Sequence, residues 1–119
     1  FFPNVAFTKD VVLNCEFILL VKQPNKDSYE QYDNRNYLIT IKNNKEIYLD
    51  NITANQKDDF PFIIQETNQD YVFAILDKYN EINTEWIETL TLRKKDNFIL
   101  IYHQSTYGYS TKYGHCRQN

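Results

Sequence analysis

Val11-Val12-Leu13-Asn14-Cys15-Glu16-Phe17-Ile18-Leu19-Leu20-Val21 is the longest apolar region of the chain, and its period sets the fold class. Read at a period of two, Val11, Leu13, Cys15, Phe17, Leu19 and Val21 form an unbroken apolar face. The opposite face is mixed: Val12, Asn14, Glu16, Ile18, Leu20 and Lys22. Successive side chains of a strand point to opposite sides, so this alternation predicts a long, largely buried strand. A helix competes over such a length, but the β-branched and aromatic content favours the strand. Cys15 then lies on the inner face.

Outward from this stretch the period persists. Gln23-Pro24-Asn25-Lys26-Asp27-Ser28 stops the first strand, and residues 28–35 read as a short helical turn or a loop. Tyr37, Ile39 and Ile41 alternate, then Ile47 and Leu49 after Asn43-Asn44-Lys45. A three-residue loop opposes Ile41 to Ile47 and Ile39 to Leu49, whereas a two-residue loop opposes Ile41 to Glu46. Register follows the apolar face, so the odd loop is predicted. Residues 50–59 are polar and read as a surface loop. A strand over 60–66 follows, with Pro61 at its start, where a missing N–H is tolerated. Asn68-Gln69-Asp70 turns it.

Residues 71–76 are apolar at both parities and predict a central strand, with Phe73 and Ile75 joining Phe17 and Leu19 among the least exposed side chains. Residues 77–84 turn again. Trp86, Leu90 and Leu92 share one face of the next strand, and Ile87, Thr89, Thr91 and Arg93 the other. After Lys94-Lys95-Asp96-Asn97, the run Phe98-Ile99-Leu100-Ile101-Tyr102 is its hairpin partner. The fold class is therefore all-β: one antiparallel meander of about seven strands, closing as a barrel or a sandwich, with at most one short helix. Asn and Asp supply the left-handed turn positions in a chain with only two glycines.

Composition narrows the function classes. A chain of 119 residues with 42% hydrophobic content is one folded domain. A formal net charge of −3 provides no basic field for nucleic acid or an anionic membrane. Arg93-Lys94-Lys95 is the one basic cluster and reads as a solvated hairpin tip. No stretch reaches the roughly 20 apolar residues of a membrane-spanning helix, so membrane insertion is not expected.

Cys15 and Cys116 fit no metal or redox spacing, and a bridge between them is predicted. With a first residue that is not Met, this points to an exported protein, periplasmic or secreted. Asn51-Ile52-Thr53 is an acceptor sequon of little weight.

The tail carries the unusual chemistry. Both glycines, both histidines, one cysteine and Tyr102, Tyr107, Tyr109 and Tyr113 lie between positions 102 and 116. In an extended tail Tyr107, Tyr109, Thr111, Tyr113 and His115 share one face, opposite Gly108, Ser110, Lys112, Gly114 and Cys116. An inward Cys116 sends the tyrosine face outward, unless a bulge at either glycine inverts the parity. Tyr107, Tyr109, Tyr113, His115 and Arg117 are therefore the predicted protein-binding residues, with the 93–95 turn at the rim. Rigid Tyr rings separated by Ser and Thr suit recognition.

Catalytic signatures are missing. His103, His115 and Cys116 match no zinc spacing. Ser28, Ser105 and Ser110 sit in no nucleophile motif, and two glycines cannot build a phosphate cradle. Glu85-Trp86-Ile87-Glu88 is the best glycosidase-like segment and a poor one, because carboxylate separation across a cleft is not a sequence property. No catalytic residue, metal or cofactor is expected. In general character the chain resembles small exported bacterial inhibitors and immunity proteins. A non-catalytic, protein-binding domain that neutralises a secreted toxin or cell-wall hydrolase is the leading expectation. A carbohydrate or cell-wall binding module and a structural domain of a surface protein are the alternatives.

Overall fold

Residues 10–23, 29–32, 35–53, 55–57, 60–106 and 108–118 are described by the computed structural model. In chain order they form β1 (Val11–Gln23), β2 (Tyr29–Tyr32), β3 (Asn36–Lys42), β4 (Glu46–Asn51), β5 (Gln56–Lys57), β6 (Phe62–Thr67), β7 (Tyr71–Asp77), the one-turn helix α1 (Tyr79–Ile82), β8 (Trp86–Arg93), β9 (Phe98–Ser105) and β10 (Gly108–Gln118). Around the sheet β1, β3, β4, β6, β7, β8, β9 and β10 each pair antiparallel with the next, and β10 pairs back onto β1. This is a closed, eight-stranded, up-and-down barrel. Closure gives every strand of the ring a neighbour on both sides, most briefly at β4–β6, where only Glu46↔Ile63 and Ile47↔Phe62 pair.

The two short strands decorate it. β2 extends β1 beyond the reach of β3, through Leu19↔Tyr32 to Lys22↔Tyr29, and β5 pairs the end of β4. A strand therefore stands at 29–32, where the sequence reads as a helical turn or loop. Tyr29 and Tyr32 are good strand residues, and the protruding half of β1 offers them a template. Among the described residues the single helical turn lies instead at 79–82. The Asp77 carboxylate accepts the Tyr79 N–H at 3.0 Å, and Asn83 ends the turn in the left-handed region at φ 54°.

Turn chemistry sets the registers. Ile41 opposes Ile47 and Ile39 opposes Leu49, as the three-residue loop requires. Asn43 and Asn44 take φ of 53° and 57°, and every described non-glycine residue at positive φ is an asparagine. Asn tolerates this conformation because its short amide bonds locally. The Asn68 side chain closes the next turn, accepting the Asp70 and Tyr71 N–H groups at 2.8 and 3.0 Å.

The interior is filled by side chains, as the bore of an eight-stranded barrel allows. Leu13, Cys15 and Phe17 of β1 meet Tyr37, Ile39 and Ile41 of β3, Ile47 and Leu49 of β4, and Phe62 of β6. Val72, Ala74 and Leu76 of β7, Leu90 and Leu92 of β8, Ile99 and Ile101 of β9 and Cys116 complete it. Cys15 and Cys116 are directly opposed across the β1–β10 seam and form a disulfide.

Two expectations about this core are corrected. Phe73 and Ile75 point outward and are half-buried, while Val72, Ala74 and Leu76 turn inward. Residues 71–76 are apolar at both parities, so alternation could not choose. In the ring, small Ala74 opposes bulky Leu90, a pairing that suits the narrow inner face.

The apolar face of β1 is also not continuous. Its register against β10 shifts between Phe17 and Leu19, leaving Ile18 as an extra, 46% exposed residue, and Leu19 comes opposite Tyr113. The Leu19 side chain lies outside the described residues. The bulge sits on β1, not at a tail glycine.

Gly114 faces this bulge. A Cβ there would run into the Glu16 carbonyl oxygen and come within 3.0 Å of the Phe17 Cα. Backbone at the seam cannot yield as a side-chain tip would. Gly114→Ala is expected to cost about 1–3 kcal/mol by overpacking. Urea titration checks this, and an unchanged midpoint would show that the seam absorbs a methyl group.

Candidate functional site

Directly opposed residues of antiparallel strands project to the same side. The registers of β7 to β10 therefore lay out the outer surface in rows. One row runs Phe73, Thr91, Leu100, Tyr113, and the next runs Ile75, Thr89, Tyr102, Thr111. All eight side chains are half-buried. Below lie Tyr71, Arg93, Phe98 and His115; above lie Asp77, Ile87, Gln104 and Tyr109. Aromatic and aliphatic side chains thus cover a continuous outer face, with threonines between them. The outer faces of β3 and β4 differ. There Leu38 and Tyr48 are interrupted by Thr40, Lys42, Glu46 and Asp50, and the Lys42 ammonium sits 4.9 Å over the Tyr48 ring.

Charge frames this face at both ends. At the tight-turn end the Arg93 guanidinium donates to both Asp96 carboxylate oxygens, at 3.0 and 2.8 Å. That bidentate bond pulls the Asp96 carboxyl down to about 2. Arg93 also lies 5.1 Å over the Phe98 ring, and Lys94, Lys95 and exposed Arg117 add positive charge nearby. At the opposite end Asp77, Glu81 and Glu85 surround α1.

The parity read from Cys116 holds through β10, whose pairing with β9 is regular from Gly108 to His115. Tyr109 points outward and is 43% exposed. Tyr113 is half-buried beside Leu100, its ring 6.1 Å from Phe98. His115 is exposed and meets Phe98 edge-on at 5.3 Å. It shares a small hollow of about 140 Å³ with Arg117, Asn14, Glu16 and Asn36. Tyr107 lies outside the described residues. Tyr109, Tyr113 and His115 are thus brought onto one face, and Arg117 to its lower rim.

The even-numbered residues of the tail enter the barrel. Lys112 donates to the Tyr37 hydroxyl at 3.3 Å, and its ammonium lies 4.8 Å from the Tyr37 ring and 5.5 Å from that of Phe17. Ser110 and His103 Nδ1 share a hydrogen bond at 3.2 Å. His103 packs on Trp86 at 4.3 Å, and Trp86 Nε1 donates to Glu88 at 2.8 Å. This half of the interior is a polar and aromatic plug above the apolar core. His103 inside and His115 outside cannot share a ligand. Among the described residues no three His, Cys, Asp or Glu side chains gather to hold a metal, and no helix is long and apolar enough to cross a membrane.

Sequence reading found the edge of this face and only part of its centre. Thr89 and Thr91 lie opposite the buried Leu90 and Leu92 face, as alternation along β8 predicts, whereas Phe73 is expected inside and Leu100 and Tyr102 carry no outward signal in their alternation. The available signal was the five-residue apolar run at 98–102, which alternation cannot bury on both sides of a half-wet strand. No known protein family, curated protein or solved structure matches this chain.

Proposed function

We propose that this is a non-catalytic domain that binds another protein through the outer face of β7 to β10. The observation that carries the reading is the pair of adjacent rows, Phe73-Thr91-Leu100-Tyr113 and Ile75-Thr89-Tyr102-Thr111, half-buried side chains that face outward on the barrel wall. Soluble monomers seldom leave an extended apolar patch open to water without a use for it. The layout also matches interface anatomy, with aromatic and aliphatic side chains along both rows and charges at the rim. Threonine hydroxyls between the rings add hydrogen-bonding groups with few rotamers to fix. Work in the periplasm or outside the cell fits the buried disulfide. The concrete form of this function is inhibition of a secreted toxin or cell-wall hydrolase.

The test is comparative capture from the source organism's extracellular fraction. The native domain is expected to retain a defined protein that a Leu100→Asp variant loses. A Thr40→Lys variant, altered on the opposite wall, should keep it. Thermal melting confirms that all three are folded. Equal capture by native and Leu100→Asp protein would remove the face from consideration. Retention of glycan without any protein would favour the carbohydrate alternative.

A further inference from the structure

We infer that the cleft at the rim of the barrel, between α1 and the ends of β8 and β9, receives an arginine or lysine side chain of the partner. The inference deepens the protein-binding reading and rests on it for the source of that side chain. The cleft measures about 480 Å³ and is lined by Asp77, Tyr79, Glu85, Trp86, Ile87 and Gln104. That volume falls in the range of built ligand sites and accommodates a long basic side chain.

Charge and rings together specify a cation. Asp77 and Glu85 line one cleft, yet neither is ion-paired with a described basic side chain. The neighbouring cation, Lys78, stands beside the cleft, 5.1 Å over the Trp86 ring and 5.5 Å over that of Phe60, and is ion-paired with neither carboxylate. A cation that enters the cleft meets both carboxylates, and each attracts it. Tyr79 is 50% exposed and offers a π face beside them. A neutral sugar is a poorer fit, because the Trp86 ring is already engaged by His103 and Lys78. The cleft is also continuous with the proposed face, since Gln104 directly opposes both Ile87 and Tyr109. A partner lying across the two rows can therefore insert a basic side chain here, at the acidic end.

Trp86 is the only tryptophan, so its fluorescence and indole N–H resonance report on this cleft alone. The probes are acetyl-arginine amide, its uncharged counterpart acetyl-citrulline amide, and cellobiose. A saturable Trp86 shift is expected with the arginine probe, at least about fivefold weaker with citrulline and about fivefold weaker in Glu85→Gln, with none from cellobiose. No saturation with arginine, equal response to citrulline, or an unaffected Glu85→Gln would each overturn the inference. A response to cellobiose without one to arginine would give the cleft to a neutral sugar. No partner is needed for these titrations. Their failure leaves the Leu100→Asp comparison standing, and failure of that comparison leaves an arginine-binding cleft to be explained otherwise.

Discussion

Opening the Cys15–Cys116 disulfide is expected to lower the stability of the barrel by roughly 4–5 kcal/mol in the chain-entropy account. The bridge spans 101 residues, nearly the whole chain. Without it the unfolded ensemble regains the freedom of a loop of that length, while the native state keeps its hydrogen bonds. Location reinforces the effect. The bridge joins β1 to β10, the pair of strands whose union closes the ring, and Cys15 is fully buried there. Urea unfolding with and without a reducing agent measures the difference, and a Cys15→Ala/Cys116→Ala double variant repeats it without reductant. Thiol titration of the denatured, unreduced protein should find no free thiol. A stability change below about 1 kcal/mol would mean that hydrogen bonding at the seam, not the cross-link, governs closure.

Phe17→Ala and Phe62→Ala are each expected to cost about 3–5 kcal/mol, whereas Phe73→Ala costs about 1 kcal/mol. Phe17 and Phe62 have no exposed surface. Phe17 meets the edge of the Tyr37 ring at 5.0 Å and lies beneath the Lys112 ammonium. Truncation there leaves a hole in a bore whose walls are tied by hydrogen bonds and cannot collapse freely. Phe73 loses only one-sided contact with its row, and its removal should instead weaken partner capture. Urea midpoints for the three variants decide. Equal costs for Phe73 and Phe17 would mean that the outer face is covered in the working state of the domain.

How much was legible beforehand depends on the kind of residue. The 43–45 hairpin register was readable because Ile39, Ile41, Ile47 and Leu49 alternate with mostly polar residues, Thr40, Lys42, Glu46 and Asp50. The bridge was readable because two cysteines without metal or redox spacing have few other uses. The outward direction of Tyr109 and Tyr113 followed from Cys116 alone, through strict alternation along β10. Phe73 and Ile75 were misplaced because Val72, Ala74 and Leu76 are apolar too, and a strand with two apolar faces does not announce its inside. The rim cleft was not legible at all, since Asp77, Glu85 and Gln104 come from three separate segments.

Alternation, turn residues and the cysteine pair by themselves determined an antiparallel β domain, its hairpin partners and its cross-link, because each depends on chemistry repeated every second residue or on a short local turn. The tertiary structure alone decided that the sheet closes as an eight-stranded ring, that β1 shifts by one residue beside Gly114, and that the larger apolar side chains of β7 face outward. Those outcomes belong to the ring as a whole. The last strand has to meet the first in register, and the narrow bore admits Ala74 opposite Leu90 while bulkier Phe73 and Ile75 are left on the wall, where the proposed recognition face is built.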